Sequence, residues 1–201
     1  MVVRVSQPWN ANLHYDKVLL ALTAPTGGQR VLDVGCGDGF LSAALVERGH
    51  RVTGLDADAP VLARARERWG AASVDWVHAD LMTADLAPAS FDAVVSNATL
   101  HHLPDTRAAL RRMAELLRPG GRLGIVAFAR NSWWDWPYAL AGQATLVTMN
   151  RIRRKWEHTA PQHWPPPLTY REVHRAASDL LPNSRFRRLL YGRYLLTWGK
   201  P

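Results

Sequence analysis

The chain alternates short apolar runs with longer stretches whose apolar positions recur every three or four residues. Runs at 30–34, 51–55, 73–78, 91–96 and 122–128 are bounded by turn residues and read as buried strands. Between them, residues 40–48, 59–69 and 106–117 carry helical spacing. Residues 12–23 come first, with Leu13, Val18, Leu19 and Leu22 on one helical face. The punctuation agrees. Asp58 and Asp105 stand where helix N-caps belong, Pro60 fits a first turn, and Pro119-Gly120-Gly121 stops a helix. Strands separated by single helices imply right-handed crossovers, a parallel sheet and helices on both faces.

Beyond Phe128 the alternation lapses. Residues 129–167 hold Trp133-Trp134-Asp135-Trp136-Pro137, an expected helix over 138–156, and Pro165-Pro166-Pro167. The segment is too short for its own core. It reads as a lid or substrate-facing insertion in a single domain covering residues 1–201. Thr169 and Glu172 then match a capping box, with Leu168 and Val173 as its hydrophobic staple. Residues 185–191 and 193–198 read as two antiparallel strands joined at Tyr191-Gly192.

Length and composition add limits. A chain of 201 residues with 47% hydrophobic content suits one globular domain. No run of about 18 apolar residues could cross a membrane, and the N-terminal segment lacks a signal peptide's pattern. Cys36 is the sole cysteine, so no internal disulfide forms and a cytoplasmic location is expected. Charge is uneven: residues 1–125 hold 13 basic and 13 acidic side chains, residues 126–201 hold 12 and 4. Six of the nine tryptophans lie in that second part. Basic charge with aromatics suits nucleic acid, an anionic membrane face or an acidic substrate. Arginine outnumbers lysine 22 to 3, however, so base composition of the genome is a competing cause.

The candidate chemistry starts where the first strand ends. Val31-Leu32-Asp33-Val34 runs into Gly35-Cys36-Gly37-Asp38-Gly39, a tight turn that lets a ligand approach main-chain atoms. Phe40 occupies the place of the third glycine in the dinucleotide fingerprint, so that motif is not met. Asp33 lies two positions before Gly35. This Asp-x-Gly-x-Gly-x-Gly pattern resembles the first motif of class I S-adenosylmethionine-dependent methyltransferases. Four further stretches match the family in order. They are Asp56 ending the second strand, His78-Ala79-Asp80-Leu81 after the third, the stretch from Phe91 through Asn97 to His101-His102-Leu103, and Leu117-Arg118-Pro119-Gly120-Gly121. The last is similar to the small-molecule enzymes of ubiquinone and menaquinone biosynthesis. The resemblance covers about residues 12–128.

It implies a Rossmann-like methyltransferase fold: an α/β, seven-stranded, mostly parallel sheet with helices on both faces and a C-terminal antiparallel hairpin. It also implies S-adenosyl-L-methionine as cofactor. Gly35, Cys36, Gly37 and Gly39 would close on the methionine moiety, with Cys36 a small packed residue rather than a nucleophile. Asp33 would order the turn and the ammonium, or merely tie down the loop. Asp56 and Ala57 would meet the ribose, and Asp80 and Leu81 the adenine. Asn97 joins this set, as does Tyr15, which either closes over the cofactor or packs in the core.

Methyl transfer chiefly needs an acceptor held in line behind the methyl. A phenol acceptor also needs its proton removed. His101, favoured over His102, suits that work at neutral pH, unless the pair caps a turn or packs on the cofactor. His14 is a third candidate. His158 and His163 have no cysteine or carboxylate cluster around them, so no metal site is expected. Trp133, Trp134 and Trp136 are expected to supply a wall for a small aromatic or amphiphilic acceptor, unless they are core filler. Two rival functions stand beside this one. RNA methylation would use the basic C-terminal part, although Ser96-Asn97-Ala98-Thr99 lacks the proline and aromatic of base amino-group enzymes. A non-catalytic module would bind S-adenosylmethionine or S-adenosylhomocysteine without turnover.

Overall fold

Seven strands form one sheet in the order β3-β2-β1-β4-β5-β7-β6 in the computed structural model, which describes residues 12–25, 27–71, 74–135 and 165–201. The strands are β1 (Arg30–Val34), β2 (Arg51–Asp56), β3 (Asp75–His78), β4 (Phe91–Asn97), β5 (Leu117–Phe128), β6 (Arg185–Arg188) and β7 (Arg193–Gly199). β1 to β5 are parallel; β7 runs antiparallel between β5 and β6. The helices are α1 (Leu13–Leu20), α2 (Phe40–Glu47), α3 (Ala59–Trp69), α4 (Thr106–Leu116) and α5 (Tyr170–Leu180). This is the Rossmann-like methyltransferase architecture expected from the sequence.

Side-chain alternation along the strands builds two cores, one on each face of the sheet. Leu32, Val94, Ile125 and Leu196 point to the face covered by α4 and α5, where they meet Leu110, Met113, Val173 and Ala177. Val31, Val95, Val126 and Leu195 point to the other face, against Leu19 of α1, Leu41 and Leu45 of α2 and Leu62 of α3. Because β1 lies between β2 and β4, the chain winds away from it in both directions. The crevice at the carboxyl ends of β1 and β4 is where ligands bind in sheets of this kind.

The caps form as the sequence suggests. Asp58 and Asp105 accept from the N–H of Val61 and Ala108, each at 3.0 Å, and Thr169 with Glu172 closes a full capping box. Boundaries shift by more than one residue in four places. α1 stops at Leu20, because Thr23 Oγ1 donates to the Leu20 carbonyl and caps the helix end. β3 begins at Asp75 rather than residue 73. β5 begins at Leu117, since Leu117 pairs with Phe91 and the Pro119-Gly120-Gly121 turn is bonded to Lys200 on both sides. β6 ends at Arg188, because Leu189 N–H donates to the Arg193 carbonyl and closes the hairpin turn early. The helix expected over 138–156 lies outside the described residues.

Candidate active site

The turn after β1 is fixed by two hydrogen bonds, from Gly35 N–H and Cys36 N–H to the Leu55 carbonyl, at 2.7 and 3.0 Å. Gly35, Gly37 and Gly39 all have positive φ, at 69°, 56° and 77°. Their surroundings differ. A Cβ on Gly35 would lie 2.0 Å from Thr99 Oγ1, and one on Gly39 would lie 2.5 Å from the Trp76 ring. A Cβ on Gly37 would meet no atom within 4 Å. The outer glycines are therefore demanded by packing, while the middle one borders open space. Asp56, at the end of β2, spans this turn. Its Oδ2 accepts from Gly37 N–H at 2.8 Å and its Oδ1 from Asp58 N–H at 2.9 Å.

Ala57 is exposed beside Asp56, and its carbonyl lies 3.2 Å from His78 Nε2. Asp80 is half-buried past the end of β3, where Oδ1 accepts from Met82 N–H at 2.7 Å; Leu81 is buried beneath it. The turn glycines, Asp56, Ala57, Asp80 and Leu81 thus line the carboxyl ends of three adjacent strands.

Acidic groups crowd this edge. Asp33 is 1% exposed, accepts from Ser42 Oγ of α2 at 2.7 Å, and is pushed up to about 7 by burial, with the Asp56 charge adding to the shift. That bond ties α2 to β1, which is the loop-ordering alternative for Asp33. Asp16 of α1 is likewise pushed up to about 7 by burial, against a hydrogen bond from Asn97. Burial, then the charges of Asp33 and Asp56, raise the Cys36 thiol, so it stays protonated and acts as a packed side chain. Open ground over Gly37, a carboxylate across the turn and two buried acids that a nearby cation would help to ionise suit a ligand carrying positive charge and hydroxyls. S-adenosylmethionine, with its ammonium, sulfonium and ribose, fits that donor set.

A pH dependence follows. Unfolded, the Asp16 and Asp33 carboxyls ionise near 3.8 and folded near 7, so between those values the folded state holds more protons. The ligand-free protein therefore loses stability as pH rises from about 4 to 7 through these groups. A bound cation draws their pKa values back down, so S-adenosylmethionine binding releases protons near pH 6–7. Calorimetry in two buffers of different ionisation enthalpy reads this release. Identical heats in both would show that neither acid faces the ligand's charge.

The other half of the edge, at β4, β5 and β7, is built differently. Asn97 Nδ2 donates to the Asn12 carbonyl at 2.9 Å and to Asp16 Oδ1 at 2.7 Å, tying the N-terminus of α1 to the end of β4. Tyr15 is buried and its hydroxyl donates to the Leu190 carbonyl at 3.0 Å, which directs it to the β6–β7 turn, on the β7 side of the glycine loop. His14 stacks edge-on against Tyr15 and Tyr191. His101 and His102 fall in a 3-10 turn at Leu100–His102, their ring centroids 4.0 Å apart. His101 is buried and meets the Phe128 ring edge-on at 4.8 Å. Arg193, the first residue of β7, covers the same ring at 4.2 Å.

Trp133 begins a 3-10 turn at Trp133–Asp135 and is 70% exposed. Trp136, the Trp134 side chain, His158 and His163 lie outside what the structure describes. Among the described residues no cluster of His, Cys, Asp or Glu could hold a metal ion, and no helix is long and apolar enough to cross a membrane.

Three residues escaped the sequence reading. Thr99 packs on Gly35, and nothing in its sequence context marks it. Asp16 accepts from Asn97 through its side chain, whereas Asn12 does so through its main-chain carbonyl; the available signal was a lone acid on a helix otherwise read by its leucines. Arg193 opens a strand that continues Tyr194-Leu195-Leu196, a charge at the head of an apolar run.

Comparison with known proteins agrees with this geometry. Residues 32–125 match the model of a methyltransferase domain family. The chain is 52% identical over 197 residues to an uncharacterized methyltransferase of Mycobacterium tuberculosis, spanning 98% of this chain and 100% of that protein. It is 41% identical over 111 residues to a ubiquinone biosynthesis O-methyltransferase of Idiomarina loihiensis, covering 53% of this chain and 46% of the relative. Among solved structures, it superposes with a TM-score of 0.60 on the 1,6-didemethyltoxoflavin-N1-methyltransferase of Burkholderia thailandensis, which holds its acceptor and S-adenosylhomocysteine. That pair is 25% identical over 94% of this chain and 78% of the other. A Haemonchus contortus phosphoethanolamine N-methyltransferase, bound to S-adenosylhomocysteine, gives 0.67 at 19% identity over 96% of this chain and 53% of its own. Fold, glycine turn and relatives converge: the chain belongs to the class I S-adenosylmethionine-dependent methyltransferases, of the small-molecule type.

Proposed function

We propose that the protein methylates a small aromatic or amphiphilic acceptor seated between α1, the turn after β4 and the described start of the segment 129–167, residues 129–135. One juxtaposition carries this reading. The open glycine turn spanned by Asp56 lies on the same sheet edge as a buried, aromatic-rich patch containing His101 and Phe128. S-adenosylmethionine supplies an electrophilic methyl group on a sulfonium that becomes a neutral thioether.

The residues divide the work. Backbone groups of Gly35–Gly39 hold the methionine portion, Asp56 beside Ala57 accepts from the ribose hydroxyls, and Asp80 with Leu81 N–H flanks the adenine. α1, bonded to Asn97, closes the edge against water. His101 takes the acceptor's proton at a ring nitrogen, with the His102 ring tilted against it. Trp133 offers an exposed indole as an apolar cover for the acceptor.

Incubating the protein with deuterated-methyl S-adenosylmethionine and a panel of phenols, amines and thiols, with S-adenosylhomocysteine release as readout, tests the reading. Cofactor binding without turnover on any of them would favour the non-catalytic module. His101→Gln is expected to lower turnover roughly 100-fold while sparing S-adenosylhomocysteine affinity, and His102→Gln to lower it far less. Equal, small effects would make both histidines packing residues.

A further inference from the structure

Among the described residues Arg193 is the most buried arginine of the carboxyl edge, at 5% exposure, and it has no carboxylate partner there. Its guanidinium donates to the Tyr191 carbonyl at 2.9 Å and to Asn12 Oδ1, both neutral acceptors. Its Nε is buried with no acceptor among the described residues. The titratable groups that act on it are three phenols, of Tyr15, Tyr170 and Tyr191, with no carboxylate among the described residues. Burial lowers its pKa to about 10, which still leaves it protonated at neutral pH. Arg188, on the adjacent strand and more exposed, has what Arg193 lacks: Asp135 Oδ1 at 2.6 Å.

Burying a cation without an opposite charge is costly, so an anion brought beside it would be favoured. A guanidinium with spare N–H groups matches a carboxylate fork to fork. The surroundings sharpen the chemistry. Arg193 lies over Phe128, and Phe128 touches His101, so the cation and the candidate base flank one ring. Arg193 pairs with Phe128 across β7 and β5, at the end of the sheet where Asn97 of β4 also lies. Around the charge are aromatic faces, the Tyr15 ring among them at 6.0 Å.

We infer that Arg193 is an anion receptor in the acceptor site, and that the natural acceptor is a carboxylic acid with an apolar or aromatic body. This rests on the proposed function and narrows its substrate class. A latch joining the hairpin turn to α1 would use the same two hydrogen bonds, so the test must read charge recognition rather than stability alone.

Binding to the S-adenosylhomocysteine-loaded protein is measured by calorimetry for benzoate against benzamide and octanoate against octanamide. The acids are expected to bind at least about tenfold more tightly than their amides. Arg193→Met should erase that preference and Arg193→Lys should retain part of it, with S-adenosylhomocysteine affinity unchanged in both. Equal binding of acid and amide by the wild-type protein would overturn the assignment without any variant, as would a preference that survives Arg193→Met. If Arg193→Met fails to fold, the wild-type comparison and the lysine variant still decide. Turnover of neutral phenols or amines with no acid preference would sink the anion site and leave methyl transfer standing. Acid preference without turnover on any acceptor class would do the reverse.

Discussion

Asp56→Ala is expected to weaken S-adenosylhomocysteine binding by about 2–3 kcal/mol, roughly 30- to 150-fold, in a titration at pH 7.5. The Asp56 carboxylate serves two ends at once. It holds Gly37 N–H and Asp58 N–H, so the glycine turn and the start of α3 are oriented by one group at the tip of β2. In the proposed site its remaining lone pairs meet the ribose hydroxyls. Alanine removes a charged acceptor from all of these. Asp56→Asn is expected to fall between, since the amide keeps one acceptor but turns a donor toward Gly37 N–H. Thermal stability should drop only modestly in both variants, because Asp56 is half-buried and the strand beneath it is held by its ladder with β1 and β3. Unaltered affinity in the alanine variant would mean that the ribose lies elsewhere.

Much of the fold was legible because its elements carry local signals. Strands β1, β2, β4 and the second half of β5 are short apolar runs rich in Val and Leu, and α3, α4 and α5 are each capped by a residue whose side chain bonds the first turn. The element ends that went astray have different causes. β5 lengthens because Lys200, some 80 residues away, brackets the Gly120-Gly121 turn, a bond with no signature in its own window. α1 and β6 end at local bonds, Thr23 to Leu20 and Leu189 to Arg193, that side-chain periodicity does not reveal.

The candidate site divides in the same way. Its cofactor half follows one contiguous motif and the tips of β2 and β3, so chain order alone locates it. Its acceptor half is assembled from α1, the turn after β4 and the head of β7, which are distant in sequence. Tyr15 shows the difficulty: its position in α1 was legible, but its hydroxyl bonds Leu190, 175 residues on. Arg193 counts as one of the basic residues of the second part of the chain, and only the pairing of β7 between β5 and β6 shows that its side chain is enclosed. The tail's charge is therefore of two kinds, with Arg185 and Arg187 exposed on the edge strand β6 and Arg193 in the interior. Exposed charge on an edge strand also discourages pairing with another chain.

The glycine turn offers the sharpest separation of structure from binding. Gly35→Ala combines a left-handed backbone, costing about 1–2 kcal/mol, with a methyl driven into Thr99, where overpacking adds about 1–3 kcal/mol. A fall in melting temperature of roughly 10 °C is expected for a domain of this size. Thr99→Gly, which empties the space that the new methyl needs, should recover part of it. Gly37→Leu carries the same backbone cost but no clash, since nothing lies within 4 Å of its Cβ direction. It should melt only a few degrees low, yet its side chain fills the ground proposed for the methionine moiety. S-adenosylhomocysteine affinity is then expected to drop by more than about 100-fold, with circular dichroism unchanged. The two variants thus fail in opposite ways, one in stability and one in binding. If Gly37→Leu binds the ligand as the wild-type protein does, the open space over the turn is not the cofactor site.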